Sequence, residues 1–329
     1  MSKIWISGIS HYVPEQVVTN SEMIERFNIR MKPAWVEKVI GIKERRWANA
    51  NEAASDLAVS AAKQLDLEGF CGPIYLSTIS GDFPTPSTSS IVKRKLGISG
   101  RSSATDVNAA CAGQIFALEL GYNKLMTSSV DSEVLVIASE VRSKFLNTQD
   151  RRTVFLFSDA ACAIKLERSD NPPGEIEWIV TQTVGSDEYE ILIPGGGSAA
   201  PLTNESFASG GHLITMVDGS KIFEKTTVEL INEIENTLKN KGMSKSDYDH
   251  FIFHQGNGNL IRVICQRLGI PLEKAWINFE TFGNSSSASA GVSLSHAYNK
   301  GVIKKGDRVL MMAMGAGYHL GLVSIRWGI

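Results

Sequence analysis

Strand-length apolar runs alternate with amphipathic helical segments along the whole chain, and this alternation restricts the fold more than any other feature. Residues 3–10, 74–79, 133–139, 161–167, 176–184, 250–253, 308–314 and 320–327 read as strands. Residues 51–65, 89–96, 111–125, 219–239 and 258–268 carry helical periodicity. The pattern predicts an α/β fold with sheets covered by helices. The halves also echo each other: EVLVIASEV (133–141) and RVLMMAMGAG (308–317) are both buried-type strands after a helix and a charged turn. Asp170-Asn171-Pro172-Pro173-Gly174 is the best boundary, with two prolines and a glycine in a polar stretch, giving halves 1–172 and 173–329. Residues 194–211 form a Gly/Ser-rich loop long enough to pass over a site.

Composition narrows the function classes. With 329 residues, 43% hydrophobic, 21% charged and a net charge of −2, the chain lacks the basic surface of a general nucleic-acid binder. No apolar run approaches the ~20 residues that span a bilayer. Residues 1–9 alternate like a strand and lack a basic region before an apolar core, so no signal peptide is expected. Cys71, Cys111, Cys162 and Cys265 form no CxxC pair, and the six histidines form no HExxH. No metal site is expected, and a cytoplasmic location is the economical reading.

Three residues carry candidate chemistry. Cys111 stands among small residues directly before a helical pattern through Leu118, Leu120 and Leu125. Unpaired N–H groups and the positive helix end favour thiolate there, although a small-flanked cysteine taken alone is more often an inert core residue. His254 ends the apolar run Phe251-Ile252-Phe253 before a glycine-rich turn, where α/β folds place ligand-facing side chains. Taken singly, it reads slightly better as a hydrogen-bonded histidine in a capped turn. Asn284 precedes Ser285-Ser286-Ser287-Ala288-Ser289 and an apolar helix pattern, a composition suited to close substrate approach or to a plain helix start.

Together these residues make the sequence resemble the condensing enzymes of the thiolase superfamily, in the β-ketoacyl-acyl-carrier-protein synthase III branch. The resemblance spans nearly the whole chain. It takes in Pro14-Glu15, Thr19-Asn20, Gly41-Ile42, Glu44-Arg45-Arg46, Asp106-Val107 and Ala110-Cys111-Ala112-Gly113. It continues through Asp150-Arg151, Phe157-Ser158-Asp159, His254-Gln255 with Asn257, Gly283-Asn284 and Gly315-Ala316-Gly317. It implies a five-layered α-β-α-β-α fold of two pseudo-duplicated halves, normally a homodimer. It also implies a nucleophilic Cys111 that takes the acyl group from an acyl-coenzyme A, with His254 and Asn284 donating to the thioester oxygen of a malonyl-type substrate on an acyl carrier protein. The backbone N–H groups of Cys111 and Ala316 would form the oxyanion hole, and no cofactor is required.

The resemblance further assigns Trp35 and Arg151 to stacking the adenine of coenzyme A. Lys38, Glu224 and Asn259 stand where basic residues are usual, with Lys225 and Arg262 as possible replacements. Residues 43–46 with Arg151-Arg152 offer basic surface to an acidic carrier protein, or simply a solvated charged face. In a gapless alignment Thr85, in a loop that reaches the partner subunit's acyl pocket, replaces a phenylalanine of acetyl-selective members. Gln114 replaces an aromatic residue one helical turn after Cys111. Both changes point to a primer larger or more polar than acetyl, as in fatty acid, biotin-precursor or specialised metabolism. Two other readings remain: acyl transfer from Cys111 to an alcohol or amine, and a non-catalytic subunit of a synthase heterodimer.

Overall fold

The computed structural model describes residues 2–185 and 190–329. The first half contributes strands β1 (Lys3–Tyr12), β2 (Ile74–Ser77), β3 (Ala104–Val107), β4 (Glu133–Val141) and β5 (Asp159–Ser169). The second contributes β6 (Glu175–Thr183), β7 (His250–Phe253), β8 (Ala275–Trp276), β9 (Arg308–Gly315) and β10 (His319–Arg326). The first sheet runs β1-β5-β4-β2-β3 and the second β6-β10-β9-β7-β8. These are the same order, with the same antiparallel and parallel pairings in the same places. The faint echo in the sequence is therefore a duplicated topology.

Six helices complete the layers: α1 (Ala54–Ala62), α2 (Thr88–Lys95), α3 (Gly113–Thr127), α4 (Gly219–Asn240), α5 (Gly258–Leu268) and α6 (Ser289–Asn299). Strand faces alternate, so β4 can be buried on both sides. Leu135 and Ile137 pack with Leu57 and Ala58 of α1 and Val92 of α2. Val134 and Val136 face inward, with Leu118 of α3 and Val292 and Leu294 of α6 in the central cluster. On the far side Phe251 and Phe253 of β7 meet Ile234 of α4 and Ile261 and Ile264 of α5. This is the five-layered arrangement, with α3 and α6 between the sheets.

A fourth cluster lies beside the layers, where residues 18–47 and 145–157 meet Ile214 and Met216. Arg45 is fully buried within it, donating to Val18 O at 2.9 Å, Asn20 Oδ1 at 2.7 Å and Phe155 O at 3.0 Å. Within residues 43–46, Arg45 is therefore not part of the basic surface read from the sequence. Arg45 points inward to these three acceptors, and Lys43 is paired with Glu280. Arg45→Ala is expected to lower the unfolding free energy by about 2–4 kcal/mol, measured by urea denaturation, because it strands buried acceptors.

Candidate active site

The duplicated topology brings the two halves' equivalent turns face to face. A short 3-10 turn, Ala110–Ala112, leads into α3, and a second, Ser286–Ala288, leads into α6. Both begin on a left-handed residue, Ala110 at φ +46° and Ser286 at φ +49°. Tyr318, at φ +54°, follows the Gly315–Gly317 turn. Such backbone costs about 1–3 kcal/mol per residue and persists only where surroundings enforce it. Among the described residues Asn28 is the one other non-glycine residue with positive φ, so the strain concentrates around Cys111. The helix expected to start at residue 111 starts at Gly113, because the left-handed Ala110 first turns Cys111 out of line.

One segment ties the three candidate residues together. Asn284 is fixed by its backbone, donating to Leu156 O at 2.9 Å and accepting from Ser158 N at 2.9 Å. Its side-chain Oδ1 accepts from Ser286 N at 2.8 Å, which leaves Nδ2 as the donor it can offer. Ser286 Oγ lies 3.5 Å from Cys111 Sγ. Three residues further, Ser289 Oγ lies 2.5 Å from His254 Nδ1 and accepts from Gln255 N at 3.1 Å. When the Ser289 hydroxyl hydrogen goes to Nδ1, the neutral imidazole carries its proton on Nε2, the nitrogen left to face a substrate. A Cβ at Gly256 would stand 2.9 Å from Nε2, so this glycine is what leaves the ring room.

The electrostatics differ from the sequence reading at the cysteine. Burial pushes the Cys111 thiol up, outweighing the Ser286 contact and the nearby Arg142 charge, while Glu140 adds to the rise. The helix start therefore does not store a thiolate as expected; the loss of hydration at the sulfur is the larger effect. Burial also lowers His254 to about 4, so its imidazole is neutral at pH 7. The rate of any step that uses Nε2–H is expected to stay level from about pH 8 to about pH 5.5 rather than fall through 6.5. A kcat–pH profile with an acid midpoint near 6.5 would count against a His254 held neutral by burial.

Gly315 closes the other side of the cysteine. A Cβ there would lie 2.7 Å from Cys111 N and 2.7 Å from Ala109 O, so the end of β9 lies against the nucleophile's own backbone. Ala316 follows, exposed in the turn. Lys225 places its ammonium 3.8 Å from the centroid of the Tyr318 ring.

The remaining predicted residues lie further out or further in. Trp35 is 47% exposed on the helix Pro33–Ile40, and Arg151 is exposed on another segment. Thr85 is exposed beside Phe83 and does not join Cys111 within its own chain. Gln114 is buried, its amide against the Cα of Gly291 in α6 and near the Cys162 thiol of β5. Asn259 donates to Val39 O at 2.8 Å and so links α5 to the helix Pro33–Ile40. Beside that link is a cleft of about 430 Å³ lined by Lys38, Lys43, Arg262, Glu37 and Glu280. Glu224 is exposed on α4.

Several motif residues turn out to be architectural. Gln255 Oε1 accepts from Asn278 N and Phe279 N, and Asn257 caps α5. Asp159 accepts from Ala48 N and Ser143 N, each at 2.8 Å, and burial raises it to about 6. Sequence reasoning missed Ser286, Ser289, Glu140 and Arg142. Glu140 is fully buried next to the site, accepting from Ser287 Oγ and Ser80 Oγ at 2.5 Å each. Only the serine run hinted at these contacts.

Comparison with known proteins identifies the family. The family profile for 3-oxoacyl-[acyl-carrier-protein (ACP)] synthase III matches residues 105–185, and that for its C-terminal part matches residues 238–327. A β-ketoacyl-[acyl-carrier-protein] synthase III of Syntrophomonas wolfei is 36% identical, covering 99% of this chain and 98% of its own length. The crystal structure of 3-oxoacyl-[acyl-carrier-protein] synthase III from Aquifex aeolicus VF5 superposes with a TM-score of 0.83 at 30% identity, over 99% of this chain and all of that one. The priming β-ketosynthase of the R1128 polyketide pathway superposes with a TM-score of 0.86 at 26% identity, over 99% and 96% of the two chains. Full-length matches of this kind, on a duplicated thiolase-like fold, place the chain in the 3-oxoacyl-acyl-carrier-protein synthase III family of acyltransferases.

Proposed function

We propose that the protein loads an acyl group from an acyl-coenzyme A onto Cys111 and condenses it with a malonyl thioester on an acyl carrier protein. The supporting observation is the Asn284–Ser289 segment, which reaches Cys111 through Ser286 and His254 through Ser289. In the first half-reaction the Cys111 sulfur bonds to the thioester carbonyl carbon, the bond to the coenzyme A sulfur breaks, and the thiol proton leaves on coenzyme A. The N–H groups of Cys111 and Ala316 receive the carbonyl oxyanion. In the second, His254 Nε2–H and Asn284 Nδ2–H donate to the malonyl thioester oxygen while the carboxylate departs as carbon dioxide. The resulting enolate carbon attacks the acyl carbonyl, and the Cys111 sulfur leaves and regains a proton.

The finer assignments belong to the same proposal. Trp35 and Arg151 hold the adenine of coenzyme A between them. The halves 1–172 and 173–329 act together, one supplying the nucleophile and the other the two donors. In a homodimer Thr85 enters the partner's acyl pocket. With Thr85 and Gln114 there, the primer is larger or more polar than acetyl. Carbon dioxide released from malonyl-carrier protein in step with a β-ketoacyl product tests the reading. An ester or amide product formed without carbon dioxide would replace it with simple acyl transfer.

A further inference from the structure

Arg142 directly follows β4 and is 4% exposed. Its guanidinium lies between two aromatic rings, 5.8 Å from the centroid of Phe145 and 5.6 Å from that of Phe157. Among the described residues its one hydrogen bond runs from Nη1 to Ile79 O at 3.3 Å, and its Nε is buried with no partner. The nearest carboxylates are engaged elsewhere: Glu140 by Ser80, Ser287 and Ile79 N, and Asp159 by Ser143 and Ala48. Neither forms an ion pair with Arg142 among the described residues. Glu140 and Asp159 attract the buried charge from nearby but leave its Nε without a hydrogen bond. Buried donors in native proteins are nearly always satisfied, so this edge points to a partner that arrives from outside.

Its position relates that partner to the reaction. Phe157, on which the guanidinium packs, bridges Asn284 through the backbone. Ile79, which accepts its one hydrogen bond, holds Glu140, and Glu140 in turn holds Ser287, the neighbour of the serine touching Cys111. The charge is felt at the nucleophile: Arg142 opposes the rise of the Cys111 thiol, and Cys111 acts back on Arg142. A malonyl carboxylate is a poor candidate for this edge. A guanidinium would stabilise it in the ground state and oppose its loss as carbon dioxide. A carboxylate that survives the reaction is a good one, because the Nε–Nη2 edge matches it with two parallel hydrogen bonds.

We propose that Arg142 binds a carboxylate at the far end of the acyl group on Cys111, so that the primer is the half-thioester of a short dicarboxylic acid. This rests on Cys111 being the acyl carrier. The terminal carboxylate is unchanged in loading: the sulfur–carbonyl bond forms, the bond to coenzyme A breaks, and the thiol proton leaves with coenzyme A.

Chain-matched competition tests it by intact-protein mass spectrometry. The wild-type protein would be offered succinyl-CoA against butyryl-CoA, and glutaryl-CoA against valeryl-CoA, with acetyl-CoA as a separate control. The carboxyl-ended member of at least one pair is expected to label Cys111 about tenfold faster or more. Arg142→Leu is expected to abolish or invert that preference, and Arg142→Lys to keep part of it. Equal or faster labelling by the methyl-ended members in wild type overturns the proposal, whatever the variants do. Labelling by acetyl-CoA alone overturns it too, while leaving Cys111 as the acyl carrier. Absence of labelling by every thioester, acetyl-CoA included, overturns the acyl-carrier reading itself.

Discussion

Cys111→Ala is expected to eliminate the acyl-enzyme and to lower condensation by on the order of 10⁴-fold or more, the scale on which removing a nucleophile acts. The variant should fold normally. Cys111 is half-buried, and among the described residues its one side-chain hydrogen-bond partner is Ser286 Oγ, at 3.5 Å. Losing that contact costs little stability. Intact mass after incubation with an acyl-coenzyme A, together with a thermal melt, checks both halves of the expectation. An adduct that persists on the alanine variant would locate acylation elsewhere. Product formation unaffected in an assembled system would favour a non-catalytic subunit.

His254→Ala and Asn284→Ala are expected to act on the other half-reaction. Each removes one donor aimed at a developing enolate oxygen, and loss of such a donor costs about 10²–10³ in rate. Cys111 keeps its Ser286 contact in the His254 variant, so acylation should proceed there at near wild-type rate while carbon dioxide release falls. The Asn284 variant also loses the acceptor for Ser286 N, and Ser286 is the residue touching the thiol. Some slowing of acylation is therefore expected with that variant. The separation is measured by following adduct formation and carbon dioxide release in the same samples. If both variants lost acylation in full, the division of labour between the two halves would be wrong.

Much of the fold could be read in advance because its main elements carry local signals. The helix over residues 258–268 is bounded by an Asn257 cap and by Gly269 at φ +66°, both visible as residue types. The long strands β4 and β9 are apolar on both faces, as sheets covered on both sides require. The edge strands β3 and β8 were missed: they are short, and β8 has only two residues. Their pairing is set by neighbouring strands rather than by their own pattern. The same distinction divides the site. Cys111, His254 and Asn284 are recognisable by type and flanking residues, whereas Ser289, Glu140 and Arg142 acquire meaning only when distant segments meet. Local reasoning also gave the wrong direction for the Cys111 thiol, because helix-start N–H groups are visible in sequence and burial of the sulfur is not.

The most direct test of the account is a single-turnover chase on the wild-type protein. An acyl-coenzyme A is added first, the mass of the acyl adduct is recorded and mapped to Cys111, and malonyl-carrier protein is then supplied without further primer. The expected result is loss of the adduct matched mole for mole by carbon dioxide and a β-ketoacyl thioester. An adduct that survives the chase, or that is discharged to an alcohol, an amine or water without carbon dioxide, would contradict it.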